Sequence, residues 1–202
     1  MWSSVSGEGP DDEFYRRMSP PDNEIPVAVP LNRMLARTED AAVALIGTQV
    51  YTTGLTFTLV VRVRRGTLPM DHLHQLMWGP GNGPPAFLVG LELADGRRVD
   101  NIPGHGSVDD LVFTQGGGSG SEVSVDQEWW LHPMPPEGPL FIVVRCALLG
   151  IEDTVTEIDT AAVNRAAERV EVLWPWTPPE LRESRPPPPP DVPPDSWFAT
   201  SS

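Results

Sequence analysis

The sequence predicts a mainly β protein: a single antiparallel β-sandwich, with the immunoglobulin type as one candidate, and one C-terminal α-helix packed on it. Apolar residues alternate with threonine and arginine from Leu55 to Arg64, which is the pattern of a half-buried antiparallel strand. Other short apolar segments follow at regular spacing and are separated by Gly- and Pro-rich turns, which favours a sandwich over a parallel α/β sheet. Residues 159–174 carry the spacing of an amphipathic helix, and a short helix starting at Pro69 is also expected.

Two hairpins form the centre of this predicted fold. The first joins residues 41–50 to the alternating strand through a turn at residues 51–54. The second joins residues 87–93 to residues 97–102 through the Asp-Gly turn at residues 95–96, a dipeptide that tight hairpins favour.

The remaining strands are predicted from shorter or interrupted patterns. Residues 25–31 contain two prolines and are expected at a sheet edge, where no ladder partner is needed. Residues 109–114 predict a short strand, followed by a flexible Gly-rich tip at residues 116–121. Residues 122–132 and 139–149 are expected to pair with each other as a hairpin.

The predicted C-terminal helix has a capping residue, Asp159, and an apolar residue before it, Ile158, that can pack onto Val163. The apolar stripe of this helix consists of Val163, Ala166, Ala167, Val170, Leu173 and Trp174. Pro175 ends the helix.

We expect one domain over residues 25–175, flanked by two tails. Residues 1–24 are acidic and lack the apolar residues needed to offset the entropy of ordering, so we expect a disordered N-terminal tail. Residues 176–202 are Pro-rich and are also expected to be disordered, with a polyproline II helix favoured at Pro186–Pro190. Asp191 stands where a basic P-x-x-P motif needs its last proline, so the sequence favours a spacer over a ligand.

The charge of the chain disfavours two classes of partner. The sequence has 28 acidic and 14 basic residues and a net charge of −14, without a concentrated basic patch. Nucleic acids and anionic membranes both require such a patch, so we expect neither as a partner. The sequence has no window that resembles a secretory signal or an apolar membrane span, so we expect a cytoplasmic protein.

Signatures of catalysis are weak. The pair His72 and His74 has the spacing of the first metal motif of cupins, in which two imidazoles on a strand share one ion, and His105 is a further candidate ligand. The similarity to cupins is partial, because residues 75–78 offer no glutamate. We therefore interpret His72 and His74 as surface residues of a connecting loop. A metal-dependent small-molecule enzyme remains the alternative. Cys146 is the only cysteine and is interpreted as a buried, inert thiol, and no cofactor is predicted.

The leading hypothesis for function is a non-enzymatic module that binds a protein partner, which the sequence does not identify. The candidate contact residues are Trp129, Trp130, His132 and Trp176. Adjacent tryptophans on a strand point to opposite faces, so one ring is expected in the core and the other is either exposed or beneath the C-terminal helix. A self-associating structural protein is the second alternative. A homo-oligomer is compatible with this alternative and with the protein-interaction module.

Several segments together resemble a known group of sequences. They include the Leu91–Arg97 turn region, the Gly-rich tip, Trp130–Leu140 with its Pro-Pro-Glu-Gly-Pro turn, and the stretch from Ile158 to Trp174. Over residues 27–175 the chain resembles small proteins of high-GC actinobacteria for which no activity is known. The resemblance implies a bacterial cytoplasmic setting and carries no functional residue onto this sequence.

Overall fold

A computed structural model of the chain describes residues 10–69, 72, 73, 76, 86–103 and 110–178. This part is mainly β and contains open antiparallel sheets, as predicted. The twelve strands are β1 (Glu24–Ile25), β2 (Val27–Val29), β3 (Arg33–Arg37), β4 (Ala41–Val50), β5 (Leu55–Val63), β6 (Leu88–Glu92), β7 (Arg98–Asp100), β8 (Val112–Gly120), β9 (Ser124–His132), β10 (Pro139–Cys146), β11 (Ile151–Asp159) and β12 (Glu171–Val172). Among the described helices, none has both the length and the apolar character needed to cross a bilayer.

The largest sheet has the strand order β2-β4-β5-β9-β8, and β3 pairs with the first half of β4. The predicted hairpin between β4 and β5 is confirmed, with Val50 opposite Leu55 at the turn. Strand β5 lies between β4 and β9, and most of its side chains are buried. The Gly-rich stretch predicted as a flexible tip lies instead within β8, which pairs with β9.

The second sheet has the order β11-β10-β6-β7. The predicted Asp-Gly hairpin is confirmed as β6 and β7, and Gly96 adopts the positive φ of 84° that favours glycine in its turn. The predicted pairing of residues 122–132 with residues 139–149 is wrong. Strand β9 pairs with β5 and β8 in the first sheet, whereas β10 pairs with β6 and β11 in the second, so residues 133–138 cross between sheets.

The predicted helix over residues 159–174 is too long. The structure has a C-terminal helix only at Ala161–Ala167, which buries Val163 and Ala166. Residues 171 and 172 form β12 instead, because their backbone groups pair with β1. Leu173 and Trp174, which were assigned to the apolar stripe of the helix, are exposed.

The N-terminal segment differs from the disordered tail expected for residues 1–24. Residues Pro10–Met18 form an N-terminal helix, and residues 24 and 25 form β1. Residues 1–9 lie outside the described part of the chain, as does the Pro-rich tail from residue 179 onward.

Candidate functional site

The two ends of the folded chain meet beside each other. In the two-stranded sheet, Glu24 lies opposite Val172, and the backbone N–H of Leu173 donates a hydrogen bond of 2.9 Å to the carbonyl oxygen of Asn23. The buried Asn23 side chain donates a second hydrogen bond of 2.7 Å to the carbonyl oxygen of Trp174. Asn23 therefore fixes the course of the chain after β12, where a short strand alone would fray.

Four large apolar side chains are exposed at this junction on the two faces of the short sheet, and we name them the terminal patch: Ile25, Val172, Leu173 and Trp174. They are 51%, 54%, 41% and 56% exposed, respectively. Single exposed apolar residues are common on protein surfaces, but large ones gathered on one short segment pair are typical of interaction sites. Sequence reasoning missed this patch because it placed Leu173 and Trp174 on the buried face of a helix.

A cleft of about 350 Å³ lies next to the junction, and we name it the terminal cleft. Its lining residues are Tyr15, Arg16, Ser19, Pro20, Pro21, Asp22, Asn23, Glu24, Thr52, Thr53, Trp176 and Thr177. The guanidinium carbon of Arg16 lies 4.4 Å from the centre of the Trp176 ring, a cation–π contact. Glu24 accepts hydrogen bonds from the backbone N–H of Thr52, at 2.9 Å, and from its hydroxyl. The cleft thus combines aromatic rings with charges of both signs.

The N-terminal helix forms one wall of this cleft and is held in place by Trp130. The indole Nε1 of Trp130 donates a hydrogen bond of 2.7 Å to the carbonyl oxygen of Arg17. The Arg17 guanidinium also forms ion pairs with Glu13 and, at 2.6 Å, with Asp110. The helix therefore covers Trp130, which is only 2% exposed, and positions Tyr15 at the cleft.

The two neighbouring tryptophans lie on opposite faces of β9, as predicted. Trp129 is 2% exposed and stacks on Phe113 in the core, with 4.7 Å between ring centres. Trp130 packs edge-to-face on Tyr51 at 5.7 Å. The N-terminal helix covers the Trp130 ring, whereas we expected this ring to be exposed or to lie beneath the C-terminal helix. Of the four residues predicted to contact a partner, only Trp176 lines the cleft.

His132, the remaining candidate contact, is half-buried behind Trp130, with 6.3 Å between ring centres. Burial lowers the pKa of His132, and the positive charge of Arg17 lowers it further, whereas a hydrogen bond to the Thr53 backbone and the charge of Asp110 partly oppose this shift. The imidazole is therefore favoured in its neutral form, as a packed side chain behind the N-terminal helix.

The predicted metal ligands are only partly described. His72 is half-buried in helical backbone, where a residue two places along the chain points in a different direction. His74 and His105 lie outside the described residues. Within the described ranges, no group of three His, Cys, Asp or Glu side chains is arranged to hold a metal ion. Burial raises the pKa of the Cys146 thiol, which favours the protonated, unreactive form.

Comparisons with family models, with curated proteins and with solved structures find no match to this chain.

Proposed function

We propose that the chain is a cytoplasmic, non-enzymatic protein-interaction module that binds a protein partner through the terminal patch. The observation that carries this proposal is the exposure of four large apolar side chains at the junction of β1 and β12. A protein partner would remove this apolar surface from water, which is the main driving force for association.

The size of the patch limits how tightly it can bind. Fully burying a large apolar side chain contributes about 1.5–3 kcal/mol, so four half-exposed side chains supply roughly 3–6 kcal/mol. Association itself costs about 4–15 kcal/mol in lost motional freedom. The patch therefore acts as the centre of a larger interface or supports a transient complex.

The charge of the surface indicates the chemistry of the partner. The exposed Glu171 lies beside the patch on β12, and the whole chain has a net charge of −14. A partner with an apolar centre and basic residues around it would complement both features. Opposite charges at the rim mainly accelerate association, so binding should slow as salt concentration rises.

Site-specific photo-cross-linking in the cells that make this protein tests the proposal. A photoreactive residue at Val172 should capture a discrete partner, and the additional substitution Trp174→Ser should abolish this product. Val155 provides a matched control, since it is a valine of similar exposure, 60% against 54%, on β11 away from the patch.

The outcomes separate the possible functions. A discrete product at Val172 but not at Val155 supports the proposal. Equal products at both positions, or none at Val172, would overturn it. A product with twice the mass of the chain would identify the partner as a second copy of the chain, as the self-association hypothesis states.

We further infer that the two larger sheets are the layers of one β-sandwich of the immunoglobulin kind. Phe57 and Leu59 of β5 and Ile142 and Val144 of β10 are all at most 1% exposed and belong to one hydrophobic core, which supports facing sheets. A crystal structure in which these side chains do not meet between two layers would contradict this inference.

A further inference from the structure

We propose that the terminal cleft is a binding site for a polyproline II segment, and that its occupant is residues 185–190 of this same chain. The sequence alone favours a spacer role for these residues. The cleft supplies a reason for a ligand role, because it offers aromatic surface beside the point where the described chain leaves the fold. The cleft shares no lining residue with the terminal patch, so this site is distinct from that of the proposed partner.

The lining of the cleft suits proline. Tyr15 and Trp176 contribute aromatic rings, and Pro20 and Pro21 add apolar surface with no backbone N–H to satisfy. Grooves lined by aromatic side chains bind polyproline II helices because such helices are already ordered before they bind. The volume of about 350 Å³ is small but falls within the range of ligand sites.

The tail can reach this site. Trp176 and Thr177 line the cleft, and Pro186 follows Pro178, the last described residue, by eight residues. Eight extended residues span at most about 26–29 Å, which is enough for the chain to turn and run back over the cleft. A short linker gives an effective concentration of about 1 mM, so a segment with an intrinsic Kd of about 0.1 mM would be bound about nine-tenths of the time.

Charge complementarity favours one register of the tail. Asp22 is an exposed carboxylate in the cleft, and its side chain makes no hydrogen bond or ion pair within the described part of the chain. Arg185 immediately precedes the five prolines. The other charged lining residues are engaged, since Arg16 lies over Trp176 and Glu24 binds Thr52. We therefore expect Arg185 to pair with Asp22 when the prolines lie on the aromatic rings.

The test uses the full chain and follows its ¹H–¹⁵N NMR spectrum. The reporters are the indole signal of Trp176, assigned with Trp176→Phe, and the backbone signal of Thr53. Replacing all five prolines from Pro186 to Pro190 with alanine provides the undocked reference. The substitutions Arg185→Asp and Asp22→Arg should each move both reporters toward that reference, and the double variant should restore the wild-type positions.

A tenfold loss of affinity in either single variant would lower the docked fraction from about nine-tenths to about one half. Arg182→Asp is the matched control, since it reverses an arginine of the same tail three residues earlier, and it should leave both reporters unchanged. The buried indole of Trp129 reports whether the fold itself has changed, and it should not move.

Three results would overturn the proposal. The reporters could be identical in the wild type and the alanine reference, which would mean that the tail does not occupy the cleft. Arg182→Asp could act as strongly as Arg185→Asp, which would leave only a general charge effect. The wild-type signals could move to the reference positions on dilution, which would assign the cleft to the tail of a second copy. Cross-linking at the terminal patch is a separate measurement with its own readout, so the two proposals can fail separately.

Discussion

Replacing Trp130 with phenylalanine should release the N-terminal helix, whereas the same change at Trp129 should not. The two tryptophans are adjacent and equally buried, at 2% exposure each. Their indole N–H groups differ: that of Trp130 donates to the carbonyl oxygen of Arg17 at 2.7 Å, and that of Trp129 has no partner among the described residues. Comparing Trp130→Phe with Trp129→Phe therefore isolates the contact that holds the helix.

The structure sets the expected magnitude. A hydrogen bond of this kind contributes about 0.5–1.5 kcal/mol net, so its loss should make the undocked helix about 2- to 13-fold more populated. Trp129→Phe removes a buried N–H that lacks a partner, which offsets part of the cost of the lost ring atoms. Its effect should appear in the global free energy of unfolding and not in the docking of the helix.

Limited trypsin digestion measures the undocked population, because cleavage after Arg16 or Arg17 requires the helix to open. Cleavage there should accelerate about 2- to 13-fold in Trp130→Phe and stay near the wild-type rate in Trp129→Phe. Cleavage after Arg97, in the β6–β7 turn, serves as the internal control. Equal acceleration in both variants, or none in Trp130→Phe, would refute the role assigned to the Trp130 hydrogen bond.

Three further predictions concern single residues. Because burial lowers the pKa of His132 below its ordinary 6.5, the folded state binds fewer protons than the unfolded state from 6.5 down to that lowered pKa. Stability should therefore fall as the pH drops through this window, and urea unfolding of His132→Gln should lack this loss. Cys146 should react with a thiol reagent only at the rate of global unfolding, and a fast native reaction would contradict its burial. Gly54→Ala should cost at least about 1–3 kcal/mol in thermal unfolding, because a Cβ there would overlap the Leu131 carbonyl oxygen and approach the Trp130 ring to 2.6 Å.

Local patterns predicted the hairpins well. The β4–β5 and β6–β7 pairs are each encoded by two apolar segments and the turn between them, so a short stretch of sequence contains all the information needed. Strand β11 was missed although it is nine residues long. Its acidic residues face solvent at the edge of the second sheet, and half-buried threonines take two of its core-facing positions, so its apolar signal is weak.

Pairing between distant strands was not predictable in the same way. The loop at residues 133–138 has the proline and glycine content of a hairpin turn, yet it carries the chain from one sheet to the other. Turn residues report local backbone preferences and say nothing about which strand comes to lie alongside. The partner of β9 is decided by core packing, through the burial of Trp129 against Phe113 of the neighbouring β8.

The candidate site was hidden for a related reason. The alternation of β9 indicates that one tryptophan needs a cover outside the core, but it does not identify the covering segment. The available signal was one aromatic residue of the acidic segment, Tyr15, which lines the terminal cleft, whereas the neighbouring Phe14 is exposed. The composition of residues 1–24 predicted a disordered tail, because an average over the whole segment conceals the few residues that dock.

Both proposals use a junction of the described chain that is held by few interactions. Strands β1 and β12 contribute only two residues each, and two hydrogen bonds of Asn23 add to their pairing. Such a junction opens at lower cost than the core sheets, so its geometry responds to whatever binds there. A partner on the terminal patch and a tail in the terminal cleft would both bind the closed junction. Binding of the partner should therefore strengthen binding of the tail, and the reverse, because the junction has to be ordered only once for both.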